Sequence, residues 1–191
     1  MDSQSDVLKI FLNNKKKENL QRPYRAMDIA NYIVDNFAKD KRPITNLLLL
    51  KMLYYLQAFF LVKDGNRLFT GDIEKWGYGP VEPIVYSYFK DNGASPIISS
   101  VSYVINNDGN LETISPDGRN LDVKDEKVID SVINKLYDKY HDDPFKLVDL
   151  THNEPMWKQD KDRIENGVHN IKYNNQEIIK YFGSGDKWPW Q

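Results

Sequence analysis

The chain contains no cysteine among its 191 residues. This absence excludes disulfide bonds, thiol nucleophiles and zinc sites with cysteine ligands, and it fits the reducing cytoplasm. Neither sign of charge is in clear excess, since 26 basic residues stand against 28 acidic ones. The basic surface of a general nucleic-acid binder is therefore also missing. We expect a cytoplasmic protein without a nucleic-acid partner.

The sequence also lacks a long uninterrupted apolar segment. The longest such run, residues 47–62, spans 16 residues and contains Lys51 and Gln57, whereas a membrane span needs about 20 apolar residues. The first ten residues show neither the basic start nor the apolar stretch of a signal peptide. We therefore expect no membrane partner and interpret the run as a helix inside a folded core.

The motifs of the common catalytic and nucleotide sites are absent as well. No GxxxxGK(S/T), HExxH, GxSxG or GxGxxG pattern occurs. The three histidines, His141, His152 and His169, do not have the spacing of helical metal ligands, so we predict no metal and no cofactor. His152 and Glu154 could form the acid–base pair of a hydrolase. Neighbouring polar residues of this kind are more often structural, and we predict no catalytic residues and no enzyme.

Apolar side chains recur with helical spacing in several segments, and these predict the fold. Two amphipathic helices are predicted over residues 25–38 and 124–140. Residues 47–63 are apolar on nearly every side, which predicts a central helix buried by the other elements, with Thr45 or Asn46 as its N-terminal cap. Shorter helices are predicted over residues 81–90, 145–151, 155–157 and 176–182.

Residues 96–115 differ from the rest, because β-prone residues on both sides of a turn-like stretch at 106–110 predict a hairpin. The fold class is therefore mainly α: a compact helical domain around a buried central helix, with a small β-hairpin insertion. Residues 1–22 are predicted to form a polar N-terminal arm or helix, either a solvated leader or a segment that docks on a partner. Residues 23–165 are the predicted domain, and residues 166–191 are a C-terminal helix and tail that pack on it.

Lys51 interrupts the apolar central segment, and burial of an unpaired ammonium is costly. Lys51, Tyr54 and Tyr55 share one helix face, because they are separated by three and four residues. Two interpretations are open. In the first, Lys51 extends its charge outward over a tyrosine or pairs with a carboxylate. In the second, this face borders a recognition groove.

The segment around Tyr78 combines large aromatic side chains with residues that fix the backbone. Gly77 and Gly79 bracket the tyrosine, and Pro80 is predicted to fix the entry to the next helix. Trp76 and Tyr78 have large rings with a polar tip, which suits both ordered packing and interface hot spots. The segment alone favours packing over binding.

These motifs occur in an order that resembles the SocA-like antitoxin domain, also called the Panacea domain. The resemblance covers roughly residues 25–160 and assigns the predicted domain, 23–165, to this family. The family pattern has a glutamine where this chain has Leu50. The matching pieces are residues 27–33, 44–46 and 50–57, Leu68-Phe69, residues 72–76, Tyr78-Gly79-Pro80-Val81 with Pro83, Val85 and Tyr86, and the closing stretch Leu150-Thr151-His152-Asn153-Glu154-Pro155-Met156-Trp157.

The resemblance implies an antitoxin of a toxin–antitoxin system, which neutralises a cognate toxin by direct protein–protein binding. The implied partner is a toxin protein encoded by an adjacent gene, with a cellular protease as a second partner if the chain acts as an adaptor. The alternative is a phage- or prophage-encoded protein-binding regulator or protease adaptor on the same domain, a role connected with phage defence. The hydrolase that uses His152 and Glu154 ranks last. The sequence leaves a homodimer open.

We predict a steric mechanism, in which a rigid helical core presents an aromatic and basic surface that covers the toxin. A few aromatic hot spots should dominate such an interface. The residues predicted to bind the partner are Lys51, Tyr54, Tyr55, Trp76, Tyr78, Tyr86, His152 and Trp157. The residues predicted to shape this surface are Asn46, Gly77, Gly79 and Pro80.

Overall fold

The computed structural model describes residues 22–105, 108–114 and 121–191. The predicted N-terminal arm therefore lies outside the described residues, except for Arg22. Arg22 donates hydrogen bonds to both carboxylate oxygens of Asp64, at 3.1 and 2.6 Å. The described chain thus begins beside the C-terminal end of the central helix.

Most of the described residues lie in helices, and the described residues also contain two short antiparallel strand pairs. The prediction of a mainly α fold with a small hairpin is confirmed. The helices are α1 Ala26–Lys39, α2 Asn46–Asp64, α3 Pro83–Phe89, α4 Val123–Tyr140, α5 Phe145–Asn153, α6 Pro155–Lys158, α7 Lys161–Glu165 and α8 Asn175–Phe182. The paired strands are β1 Glu74–Trp76 with β2 Gly79–Val81, and β3 Tyr103–Ile105 with β4 Leu111–Thr113.

Helix α2 is the buried centre of the fold. Thr45, not Asn46, caps its N-terminus, since Thr45 Oγ1 accepts a hydrogen bond from Leu48 N at 3.3 Å. The helix ends where Gly65 adopts a left-handed φ of 75°. Among the described helices, α2 is the one long and apolar enough to cross a membrane, but 78% of that apolar window is buried inside the protein. This burial is what the sequence predicts for a core helix.

Helices α1, α4 and α8 pack directly against α2. Their apolar stripes face the centre, and each fully buried Leu, Ile or Phe side chain contributes about 1.5–3 kcal/mol to stability. Phe37 of α1 stacks on Tyr137 of α4 with ring centroids 4.7 Å apart. The Arg42 guanidinium lies over both rings, at 4.4 and 5.0 Å. Neighbours on several sides explain why α2 has no polar face.

The first hairpin, β1–β2, lies beside α2 and has Tyr78 in its turn. Pro80 lies within β2, so the prediction that it fixes the entry to the next helix is wrong. Helix α3 begins at Pro83 instead. Glu82 caps this helix, because its carboxylate accepts a hydrogen bond from Val85 N at 2.7 Å.

The second hairpin is shorter than the sequence predicts. Its strands cover Tyr103–Ile105 and Leu111–Thr113, whereas residues 96–102 are not paired in a sheet. Ile97 is buried, and its backbone N–H donates to Ile44 O at 2.8 Å. Of the β-prone residues before the hairpin, Ile97 therefore packs beside the start of α2, whereas Ile98 is exposed.

The C-terminal residues pack on the central helix. Helix α8 contacts α2, and Phe182 of α8 stacks on Trp188 with ring centroids 4.6 Å apart. Trp190 lies 6.3 Å from the rings of both Tyr55 and Phe59. Helix α7 was not predicted, because five residues are too few to show a helical period.

Candidate functional site

Lys51 is fully buried and binds the backbone of the first hairpin. Its exposed fraction is 0%, and Nζ donates hydrogen bonds to Tyr78 O and to Pro80 O, the second at 3.4 Å. Lys51 therefore neither extends its charge outward nor lies on an exposed recognition face. The predicted carboxylate is represented by Glu154, whose charge acts on Lys51, although the hydrogen bonds of the ammonium group go to backbone carbonyls. The ammonium group instead holds the turn of β1–β2 against α2.

Gly79 is required for this close approach. Its φ of 88° lies in the left-handed region that favours glycine. A Cβ at this position would lie 2.5 Å from Thr151 Oγ1 and 2.8 Å from Lys51 Nζ. Gly77 has neither feature, since nothing lies within 4 Å of a Cβ built there. Of the two glycines that bracket Tyr78, only Gly79 has a steric reason to be glycine.

Glu154 is the second buried ionisable group in this region. Its carboxylate accepts a hydrogen bond from the Tyr54 hydroxyl. Burial raises the pKa of Glu154 to about 8, although the Tyr54 hydroxyl and the Lys51 charge oppose the rise. Burial likewise lowers the pKa of Lys51 to about 7, with the Glu154 charge acting in the opposite direction. We refer to Lys51, Tyr54, Gly79 and Glu154 as the buried anchor.

The two tyrosines of α2 belong to the core. Tyr54 and Tyr55 are both inaccessible to solvent, and their rings lie 6.2 and 6.0 Å from Phe182. Trp157 is also buried, and its Nε1 donates to Trp76 O at 3.0 Å. The expected exposed surface therefore does not include Tyr54, Tyr55 or Trp157. These side chains support the site from the interior.

An additional ion pair fixes the first hairpin from its other side. Lys75 Nζ and Arg163 Nη1 each lie 2.6 Å from a carboxylate oxygen of Asp160. Burial acts to raise the pKa of Asp160, but the hydrogen bonds from Lys75 and Arg163 outweigh it and lower that pKa. This pair was not predicted from the sequence, because Lys75 and Asp160 are 85 residues apart. No local pattern connects them.

Four aromatic residues, two of them exposed and two half-buried, line a groove beside the buried anchor. Trp76 and Tyr86 form one ring pair at 4.9 Å, and Tyr78 and Phe145 form another at 6.0 Å. Tyr78 is 66% exposed and Phe145 is 56% exposed, which is high for large rings. The volume of the groove is about 750 Å³. We refer to it as the aromatic groove, and it is lined by residues 45–47, 50, 76–78, 81, 86, 90, 93–94 and 142–145.

Part of the predicted site is brought together in this groove. Trp76, Tyr78 and Tyr86 line it, as do Gly77 and Asn46 from the predicted structural motif. One prominent member of the groove, Phe145, was not predicted from the sequence. Nothing in the sequence distinguishes this residue, at the first turn of α5, from an ordinary packing residue.

His152 lies outside the aromatic groove. Its ring stacks on Trp157 at 3.8 Å, and burial lowers its pKa below the ordinary value. It lines a separate pocket of about 360 Å³ with Lys158 and Lys161. In the part of the chain that the structure describes, no hydrogen bond or ion pair joins His152 to Glu154, and no cluster of side chains has the composition to hold a metal ion. The two members of the proposed acid–base pair thus have separate environments.

Comparison with known proteins identifies the family. The family model described as antitoxin SocA-like, Panacea domain, matches residues 49–158, more than half of the chain. The chain is 43% identical over 74 residues to Antitoxin SocA of Caulobacter vibrioides (strain NA1000 / CB15N), and this match covers 39% of each protein. No solved structure matches the chain. The protein described here belongs to the SocA-like antitoxin family, which is defined by the Panacea domain.

Proposed function

We propose that the protein is an antitoxin that neutralises a cognate toxin by binding it directly in the aromatic groove. Membership of the SocA-like antitoxin family supports the antitoxin role. We place the toxin-binding surface at this groove because two exposed rings, Tyr78 and Phe145, lie in a groove of about 750 Å³. Exposed aromatic residues of this kind are characteristic of interaction sites.

The groove is suited to tight binding because its walls are fixed before a partner arrives. Lys51 holds the backbone of Tyr78, and Trp157 holds the backbone of Trp76. A rigid surface loses little conformational entropy on association, so more of the contact energy contributes to affinity. The surrounding surface of a domain this size easily supplies the roughly 800 Å² per partner of a standard interface.

The mechanism that we propose involves contact alone. The toxin loses activity because its own functional surface is covered or held in an inactive form, and no covalent bond changes. The hydrolase alternative receives no support from the geometry, since Glu154 is buried against Tyr54 and His152 stacks on Trp157. We further propose that the toxin is encoded beside this gene and that the two proteins meet in the cytoplasm.

Co-expression with the neighbouring reading frames tests this proposal. A toxic frame should stop growth, and the wild-type chain should restore it. The variant Tyr78→Lys should fail to restore growth, whereas Tyr103→Lys should restore it fully, because Tyr103 is similarly exposed (55%) but lies on the second hairpin. Equal rescue by both variants would remove the groove from the mechanism.

A binding measurement with purified proteins separates direct neutralisation from delivery to a protease. Direct neutralisation predicts a stoichiometric complex that inactivates the toxin without other components. An adaptor would instead lower the amount of toxin in cells, and rescue would disappear in a host that lacks the protease. Rescue that persists in such a host, together with the complex, supports the proposal.

A further inference from the structure

We infer that the aromatic groove takes an extended segment of the toxin, in which one large apolar side chain stands next to a lysine or arginine. This inference rests on the function proposed above and adds the chemistry of the occupant. Three independent features of the groove lead to it: its apolar floor, an unpaired amide, and the placement of its charges.

The floor and walls of the groove call for a large apolar side chain. The groove is lined by the buried residues Leu50 and Val81 and by the exposed, paired rings of Tyr78 and Phe145. The volume of about 750 Å³ exceeds that of a single side chain, so several residues of a partner segment must enter. An apolar anchor with its flanking backbone therefore fits this space.

Asn46 supplies a reason for the flanking backbone to be extended. Asn46 lines the groove and is almost entirely buried, yet Oδ1 has no hydrogen-bond partner. Buried polar atoms without a partner are rare, because they have lost their hydrogen bonds to water. The N–H groups of an extended segment are free to donate, whereas those inside a helix are already used. Because Oδ1 has almost no accessible surface, a rotation of the Asn46 side chain toward the groove would let a partner N–H donate to this atom.

The charges of the groove favour a basic residue beside the anchor. Asp142 and Asp143 precede Phe145 on one wall, and the Asp142 side chain is 91% exposed. The exposed faces of Tyr78 and Phe145 also attract cations. Asp142 Oδ1 lies 3.2 Å from His141 Nε2, and Asp143 Oδ2 lies 3.8 Å from Lys146 Nζ, so both carboxylates have solvent-accessible neighbours within the chain. A lysine or arginine of the partner would join these carboxylates and the two ring faces. Lys90 lines another part of the groove and would repel a second basic residue placed there.

Selection from a display library of random dodecapeptides on the immobilised full chain tests the inference directly. Selected peptides should contain a large apolar or aromatic residue within one or two positions of a lysine or arginine. Enrichment of acidic peptides, or no enrichment above the Tyr78→Lys variant, would overturn the inference. A dimer of the full chain that dissociates in Tyr78→Lys would assign the groove to a second copy, and would overturn it as well.

Charge reversal then tests the pairing itself with one of the selected peptides. The double variant Asp142→Lys, Asp143→Lys should weaken binding about tenfold, which corresponds to one pair of charge-assisted contacts. A peptide with glutamate in place of its basic residue should regain affinity for this variant. The matched control is Asp138→Lys, Asp149→Lys, which makes the same change in charge at exposed positions outside the groove and should leave affinity unchanged. Equal weakening by both double variants would contradict a specific pairing.

The rescue experiment keeps the two proposals apart. If Tyr78→Lys abolishes rescue while the peptides show no preference for a basic residue, the groove binds the toxin and only the chemistry inferred for the occupant is wrong. If rescue does not depend on Tyr78, the groove fails as the toxin site, whatever the peptides show.

Discussion

The buried anchor and the aromatic groove are adjacent, but their side chains have opposite environments. Tyr78 connects them, because its backbone carbonyl accepts a hydrogen bond from Lys51 while its ring lies in the groove. Lys51 and Tyr54 are inaccessible, whereas Tyr78 and Phe145 are exposed. One short segment thus contributes to stability through its backbone, and under the proposed function it contributes to binding through its exposed ring.

The two regions should therefore respond differently to substitution. A change in the buried anchor should lower the free energy of unfolding, and it should weaken binding less directly, through loss of folded protein and through loosening of the Tyr78 backbone that Lys51 holds. A change in the groove should leave the free energy of unfolding almost unchanged and reduce binding directly. The following substitutions test this division.

The largest loss of stability is expected for Lys51→Met. Methionine keeps most of the side-chain length but leaves two backbone carbonyls, of Tyr78 and Pro80, without their donor. Each buried group that loses its partner costs about 1–3 kcal/mol, so we expect a loss of about 3 kcal/mol in chemical denaturation. Lys63→Met is the matched control, since Lys63 is exposed on the same helix. A loss below about 1 kcal/mol for Lys51→Met would show that the anchor is not a stabilising contact.

Gly79→Ala should be the next most damaging change. The new Cβ would collide with Thr151 and Lys51 at a positive φ, and we expect a loss of about 2 kcal/mol. Gly77→Ala is the control, because a Cβ there meets nothing within 4 Å. Thermal unfolding of both variants measures the difference, and similar melting temperatures would contradict the close approach of the hairpin to α2.

The pH dependence of stability should reveal the carboxyl group of Glu154. This group keeps its proton up to about pH 8 in the folded protein but has an ordinary pKa of 4.5 when exposed. Between pH 4.5 and about pH 8, Glu154 is protonated in the folded state but ionised in the unfolded state. The contribution of this proton to the free energy of unfolding is therefore complete below pH 4.5, and it is lost as the pH rises through 8.

Glu154→Gln cannot titrate and serves as the reference. The free energy of unfolding of the wild type, relative to this variant, should fall from about pH 5 to about pH 8, by at most about 1.4 kcal/mol per pH unit. Urea denaturation at several pH values measures it. A difference that stays constant, or that grows in favour of the wild type, would refute the shifted pKa.

The smallest change in stability is expected for Tyr78→Ala. The ring is mostly exposed, so the free energy of unfolding should change by less than about 0.5 kcal/mol. Binding of the toxin should nevertheless weaken by more than about tenfold, because exposed aromatic residues dominate interfaces of this kind. Calorimetry of folding and of binding on the same variant checks both values. A large loss of stability would place Tyr78 with the buried anchor.

Helical periodicity was sufficient to predict most of the fold. The amphipathic patterns of α1 and α4 and the apolar surface of α2 gave these helices within one or two residues of their observed bounds. The patterns succeed because a buried stripe repeats with the period of the helix itself. The central helix was identified as buried for the same reason.

The exposure of individual residues on these helices could not be predicted in the same way. Lys51 donates a hydrogen bond to the backbone of Tyr78, which is 27 residues away in the sequence. Tyr54 donates one to Glu154, which is 100 residues away. A charged or polar residue in an apolar helix indicates that a partner exists but does not identify it. Lys51 and Tyr54 were therefore predicted to lie on a surface. They are instead buried next to the aromatic groove. Trp76 and Tyr78 were selected because their rings flank glycines that fix the backbone, whereas Tyr86 was included through the resemblance to the family.

Amide hydrogen–deuterium exchange on the protein, alone and with its toxin bound, tests the binding role of the aromatic groove most directly. We predict that the toxin slows exchange in the segments that line the groove, residues 76–86 and 142–146, and leaves the second hairpin at 103–113 unchanged. Protection of the second hairpin with unchanged exchange in the groove segments would contradict the account.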